Sequence, residues 1–194
     1  MRLPHLEPGQ VCLGAALLVP PPLAAELSAA RRSFGDYEPS PPHITVIPPT
    51  PVPRAGFASL VERLGAGAAA FRPFRVHLRG TATFRPVSPV VYARLADGFD
   101  RCQALERLVR AALTGLEDRF PYHPHVTVAN GCDEATLDHA QAALRHIDAT
   151  FTVDSLAVCT LQPDGDWRMV QLLPFGAPPL PDAVQPPPPP RSAT

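Results

Sequence analysis

Two short segments set histidine and threonine in the same order: "PPHITVIPP" at 41–49 and "YHPHVTVAN" at 122–130. Each puts a proline immediately before the histidine and a threonine two residues after it. In a strand, residues i and i+2 share a face. His43 and Thr45 therefore project together, with Ile44 and Val46 turned to the other side. His125 and Thr127 do the same against Val126 and Val128. Two imidazoles facing one pocket suit an in-line displacement at phosphorus. The neutral ring takes a proton from the attacking oxygen, and the protonated ring gives one to the leaving oxygen. An ordinary imidazole pKa near 6.5 lets both forms coexist around neutrality. The threonine hydroxyls can donate to the non-bridging oxygens, where charge develops. This chemistry requires no metal and no cofactor. One such segment alone is a common strand pattern; two at matched positions point to a shared site.

The elements that hold these residues repeat as well. Residues 11–19 form a short apolar run read as a buried strand. Prolines then open a helix carrying Leu23, Leu27, Ala30 and Phe34 at helical spacing, and Gly35 stops it. The strand 43–47 follows, and Pro48 and Pro49 are expected to cut it short. A second helix presents Phe57, Leu60, Val61 and Leu64 on one face, and residues 74–84 alternate as a strand does. The second half begins with a strand at 90–96 and an amphipathic helix at 100–117. The strand holding His125 comes next, then a helix capped by Asp133 with Leu137, Ala140, Leu144 and Ile147 inward. Strands near 150–161 and 167–174 follow, joined by the tight turn "PDGD". The first strands of the halves start 79 residues apart, and the motif histidines lie 82 apart. Matching order at nearly constant offset predicts an internal duplication. The expected fold is α+β, with two pseudo-symmetric lobes at about 11–86 and 90–174 whose antiparallel sheets line a central groove. One domain spans 1–175, and 176–194 is a proline-rich disordered tail.

Composition narrows the function classes. The 194 residues carry a net charge of −1, so nothing overall draws the chain to nucleic acid or anionic lipid. Any phosphate binding must be local. All 17 basic residues are arginine. Without lysine there is no Schiff base, phosphate-loop lysine or lysine nucleophile of the kind that carries AMP in ATP-dependent ligases. Cys12, Cys102, Cys132 and Cys159 form no C-x-x-C pair, which fits reduced thiols in a cytoplasmic protein. No run is long enough to span a membrane. The segment "VCLGAALLV" has the length of a signal-peptide core, but Glu7 spoils the basic flank, and the repeat needs that segment as a strand.

The sequences "HITV" at 43–46 and "HVTV" at 125–128 resemble the paired H-x-T-x motifs of the two-histidine (2H) phosphoesterase superfamily. The branch most similar is that of the bacterial 2′-5′ RNA ligase-like and cyclic phosphodiesterase proteins, and the resemblance covers roughly residues 11–175. It implies two pseudo-symmetric α+β lobes around a groove. It also implies His43 and His125 as acid and base, and Thr45 and Thr127 as phosphate binders. The substrate implied is a 2′,3′-cyclic phosphate on an RNA end or a nucleotide. Attack by water gives a phosphomonoester, and attack by an RNA 5′-hydroxyl gives a 2′-5′ linkage. Many members continue the first motif strand through a basic and an aromatic residue toward glycine, where this chain has Pro48 and Pro49. A monomer away from membranes is expected.

Further residues invite weighing. Arg75, His77 and Arg79 share a strand face and could meet substrate phosphates, although a solvated sheet face is the favoured reading. His123 and His125 form an H-x-H pair that could hold a metal, but no carboxylate-rich partner motif accompanies them. His123 is read instead as shaping the pocket mouth. Tyr122, Tyr37 and Trp167 could stack on a base, with core or rim packing the more ordinary use. Two other functions fit the same motifs: an RNA-end-binding protein with little turnover, and a small metallohydrolase built on His123 and His125.

Overall fold

The computed structural model describes residues 4–38, 40–113, 121–162 and 165–176. The first half of the chain runs β1 (Gln10–Leu18), α1 (Leu23–Ser33), β2 (His43–Pro53), α2 (Phe57–Ala69) and β3 (Phe74–Thr83). The second half runs β4 (Val90–Asp97), α3 (Phe99–Ala111), β5 (His125–Asn130), α4 (Glu134–Ala143), β6 (Asp148–Val153), β7 (Ser155–Leu161) and β8 (Trp167–Pro174). The eight strands form one curled antiparallel sheet in the order β6-β3-β4-β5-β2-β1-β7-β8. The two motif strands, β5 and β2, are its central pair.

Strand alternation sorts the residues. Ile44, Val46, Val126 and Val128 are fully buried, in one continuous core with Leu27 of α1, Leu60 and Leu64 of α2, Leu105 of α3 and Leu137 of α4. All four helices therefore cover the same face of the sheet. Fully burying an aliphatic side chain contributes roughly 1.5–3 kcal/mol. These residues consequently fix which way each motif strand faces, because a slip by one residue would drive the histidines into the core. His43, Thr45, His125 and Thr127 point to the face that the helices leave open.

Three local features differ from the sequence reading. First, β2 does not end at Pro48 but continues to Pro53, with Thr50, Pro51, Val52 and Pro53 opposite Leu13, Cys12, Val11 and Gln10. Only Ile44 of β2 pairs with β5. Beyond that point one edge of β2 is unpaired, so prolines lacking an N–H cost no ladder bond there. Second, the run near 150–161 is two strands: β6 pairs with β3, and β7 pairs with β1. Third, the division of the sheet does not follow the division of the chain at residues 86–90. β3 lies beside β4 in the second half's sheet, and β7 lies beside β1 in the first half's. β3 of the first half and β7 of the second are thus exchanged between the halves, with β6 staying beside β3 and β8 following β7. The helix end expected at 114–117, Pro163 and Asp164 of the "PDGD" turn and the tail beyond Gly176 lie outside the described residues.

β1 occupies the segment weighed as a signal-peptide core, and it pairs on both edges, with β2 and β7. Asp133 caps α4 as expected, its carboxylate accepting from the Thr136 N–H at 2.7 Å. Among the described residues, no helix is long and apolar enough to cross a membrane.

Candidate active site

The pairing of Ile44 with Val126 sets the register of the two motifs. Carried one residue either way along antiparallel strands, it puts His43 across from Thr127 and Thr45 across from His125. Cross-strand neighbours lie about 4.5–5.5 Å apart at Cα. The four side chains thus form a diagonal square, histidine beside threonine on each edge, on the helix-free face. The rings are close enough that a charge on His43 bears on His125.

Both histidines are anchored in the same way. His43 Nδ1–H donates to the Pro41 carbonyl at 2.7 Å, and His125 Nδ1–H donates to the His123 carbonyl at 2.7 Å. A carbonyl can only accept, so each neutral ring keeps its proton on Nδ1 and leaves the Nε2 lone pair free. Neither Nε2 has a protein partner among the described residues, and neither do the hydroxyls of Thr45 and Thr127. Burial holds both imidazoles below the usual 6.5. For His43 the bond to the Pro41 carbonyl opposes that shift, the Arg31 charge adds to it, and Glu38 opposes it. For His125 the bond to the His123 carbonyl opposes it, while the His123 and His43 rings add to it.

Two residues that support this geometry serve roles the sequence does not reveal. Arg31 is buried at the end of α1 and pairs with the buried Asp36 at 3.2 Å. It also donates to the Ser40 carbonyl at 3.2 Å, which fixes the loop entering β2 at His43. Tyr122 turns inward. Its ring packs against the core, and its hydroxyl donates to the Thr45 carbonyl at 3.2 Å. It ties the approach to one motif to the strand of the other, and its hydroxyl is spent on that bond.

The walls of the groove differ. On the β4–β5 side, Phe84 and Tyr92 stack at 4.3 Å between ring centroids and meet the His125 ring edge-on at 4.9 and 5.2 Å. His123 is exposed and sits edge-on to the same two rings. Among the described residues no group of three His, Cys, Asp or Glu side chains could hold a metal ion. On the β1 side the surface is apolar, with Leu18 and Ala16 opposite His43 and Thr45, and Trp167 lying over Gly14. A Cβ at Gly14 would sit 3.0 Å from the Trp167 ring, so glycine permits this approach. Tyr37 is 76% exposed. Arg75 and Arg79 are exposed on β3, and Arg79 shares Asp148 with His77.

An antiparallel sheet with helices on one face and paired histidine strands at its centre defines a structural class. The chain superimposes on E. coli LigT complexed with 3′-AMP with a TM-score of 0.61 and 14% identity, covering 86% of this chain and 98% of that one. For TT0787 of Thermus thermophilus the TM-score is 0.62 at 21% identity, covering 84% and 97%. A Staphylococcus epidermidis protein named "Putative phosphoesterase" is 24% identical over 172 residues, 84% of this chain and 99% of its own length. Residues 19–165 match the profile of the 2′-5′ RNA ligase superfamily, and the chain belongs to that family.

Proposed function

We propose that this protein is a metal-independent phosphodiesterase that opens 2′,3′-cyclic phosphates on RNA ends or nucleotides. Phosphoesterase activity follows from the family; the cyclic substrate is our reading. One observation carries it: two rings anchored through Nδ1 stand beside two hydroxyls on one open face, and neither their Nε2 atoms nor the hydroxyls have a partner among the described residues. The neutral histidine takes a proton from water at Nε2 as the water oxygen bonds to phosphorus. The bond from phosphorus to the 2′ or 3′ oxygen breaks, and the protonated histidine delivers its Nε2 proton to that oxygen. Thr45 and Thr127 donate hydrogen bonds to the non-bridging oxygens as charge builds there. With an RNA 5′-hydroxyl in place of water as the nucleophile, the same groups support 2′-5′ joining as the bond from phosphorus to the 3′ oxygen breaks and that oxygen takes the Nε2 proton. The nucleotide bound in E. coli LigT is consistent with such a ligand. Both motif strands come from one chain, so a monomer suffices. Free cysteines suit the cytoplasm.

The test is hydrolysis of a nucleoside 2′,3′-cyclic phosphate in excess chelator, with the product isomer identified. Turnover that survives chelation and falls by orders of magnitude in His125→Ala supports the proposal. Full activity in His43→Ala or His125→Ala refutes the two-histidine mechanism, and activity abolished by chelation refutes metal independence.

A further inference from the structure

The groove is lopsided although the fold is pseudo-symmetric. Arg94 is directly opposite His125 across the β4–β5 ladder, so it projects on the same face as the candidate site. Its neighbours Ala93 and Leu95 pack on the core, as that orientation requires. One strand further out, Leu78 is opposite Leu95 on the core side. Arg79 and, by alternation, His77 and Arg75 therefore join Arg94 on the open face. The next strand adds Thr152, Thr150 and Asp148 opposite Arg75, His77 and Arg79. A cavity of about 800 Å³ opens beside this face, between β3, β4 and the loop from α4 to β6, lined by Arg79, Arg94, Leu95, Arg145, Ile147 and Asp148 among others.

The wall carries two carboxylates, Asp148 and Asp97, the latter opposite His77, against Arg75, Arg79, Arg94 and Arg145. Asp148 is shared between His77 at 2.7 Å and Arg79 at 3.8 Å. No ion pair forms to Arg75, Arg94 or Arg145 among the described residues. Arginines outnumber carboxylates on this wall, in a chain whose overall net charge is −1. The facing wall, built from Leu18, Ala16, Cys159 and Trp167, carries none. A mononucleotide held at His43 and His125 would leave the arginines one and two strands away without a partner.

We infer that Arg94, Arg79 and Arg75 form a track for the backbone phosphates of a single-stranded nucleic acid whose reactive end lies at His125. This rests on the function proposed above and adds to it that the substrate extends over several nucleotides. Flexible arginine forks on an exposed strand face suit phosphates rather than bases. The exposed threonines of β6 add neutral donors along the same path.

The test is binding of a ten-nucleotide single-stranded RNA, labelled at its 5′ end, to the full chain by fluorescence anisotropy across a salt series. Three engaged phosphates predict a slope of log K against log salt of about −2, at roughly 0.7 per contact for single strands. Arg94→Ala should flatten the slope by about 0.7, and the Arg75, Arg79 and Arg94 triple alanine variant should flatten it almost wholly. Arg63→Ala, on the helix side, should leave it unchanged. An unchanged slope in the triple variant, or no binding by wild type, overturns the track. Turnover is scored separately with a mononucleotide and the ten-mer, each ending in a 2′,3′-cyclic phosphate. Binding as described with neither substrate opened would keep the track and refute the proposed reaction. Equal kcat/KM for both substrates at low salt would refute the track and keep the reaction.

Discussion

Replacing Tyr122 with phenylalanine isolates a single interaction between the two motifs. The Tyr122 hydroxyl donates to the Thr45 carbonyl at 3.2 Å. Among the described residues the one ladder pair joining β2 to β5 is Ile44 with Val126, so this bond is a second tie between the two motif segments. The net worth of such a hydrogen bond is about 0.5–1.5 kcal/mol, and more where the abandoned partner is buried. A loss of about 1.5 kcal/mol in a domain of this size lowers Tm by roughly 3–6 °C. The ring keeps its packing, so the loss should stop there. The effect on turnover follows from geometry, because Thr45 belongs to the strand whose carbonyl is released. A misplacement near 1 Å can cost up to about a hundredfold in rate, and a fraction of that shift predicts a drop in kcat of roughly tenfold. Burial pushes the Tyr122 phenol far up, so it remains a donor at every working pH, and the pH limbs of the variant should coincide with those of wild type. Differential scanning calorimetry and steady-state kinetics on a cyclic phosphate read both effects. A Tm within about 1 °C of wild type would show that the bond contributes nothing, on the scale of a few degrees per kcal/mol. A lowered Tm with unchanged kcat would show that it holds the fold without setting the site.

Alanine at His43 or at His125 should each cost about 10²–10⁴ in kcat. The double variant should fall little further, because the two act as a unit; single-turnover rates decide this. The pH profile of kcat/KM should be a bell with its maximum below the ordinary imidazole value of about 6.5, since burial holds both free-enzyme imidazoles down. Its alkaline limb is the acid losing its proton, and a maximum above about 7 would contradict the assignment. Stability should depend on pH with a definite sign. The native histidines release protons at lower pH than the unfolded ones, so below about 6.5 the unfolded chain binds more protons, and stability falls with acid until the native rings also protonate. The double His43→Asn, His125→Asn variant should flatten that slope in urea titrations across the same range.

The site is legible in the sequence because its information is local. Proline, histidine and threonine at fixed spacing, with β-branched residues between them, specify a strand and a face together. Helix α4 is legible for the same reason, since Asp133 marks its start and Leu137 and Ala140 its buried stripe. The failures involve partners distant in the chain. The prolines of β2 read as a stop because local propensity cannot see that one edge of that strand is unpaired. The run near 150–161 reads as one strand because only its partners, β3 on one side of Asp154 and β1 on the other, divide it. Arg94 carries no local signal, because its meaning comes entirely from lying across from His125. Arg31 is equally silent, because its value lies in a turn closed by Asp36 and Ser40.

The exchange of β3 and β7 bears on how such a molecule can be cut, built or inherited. Either half folded by itself would send a strand out, β3 from the first or β7 from the second, with no sheet of its own to join. It could be completed only by a second copy offering the same strand in return. Cleavage between residues 86 and 90 would therefore yield two fragments that fold only on each other. The molecule should unfold as one cooperative unit despite its twofold layout. The linker from β3 to β4 makes intramolecular an exchange of strands that two separate chains would otherwise make as an interlocked pair. Held in one chain, the two halves need not match, and one flank of the groove carries arginines while the other is greasy.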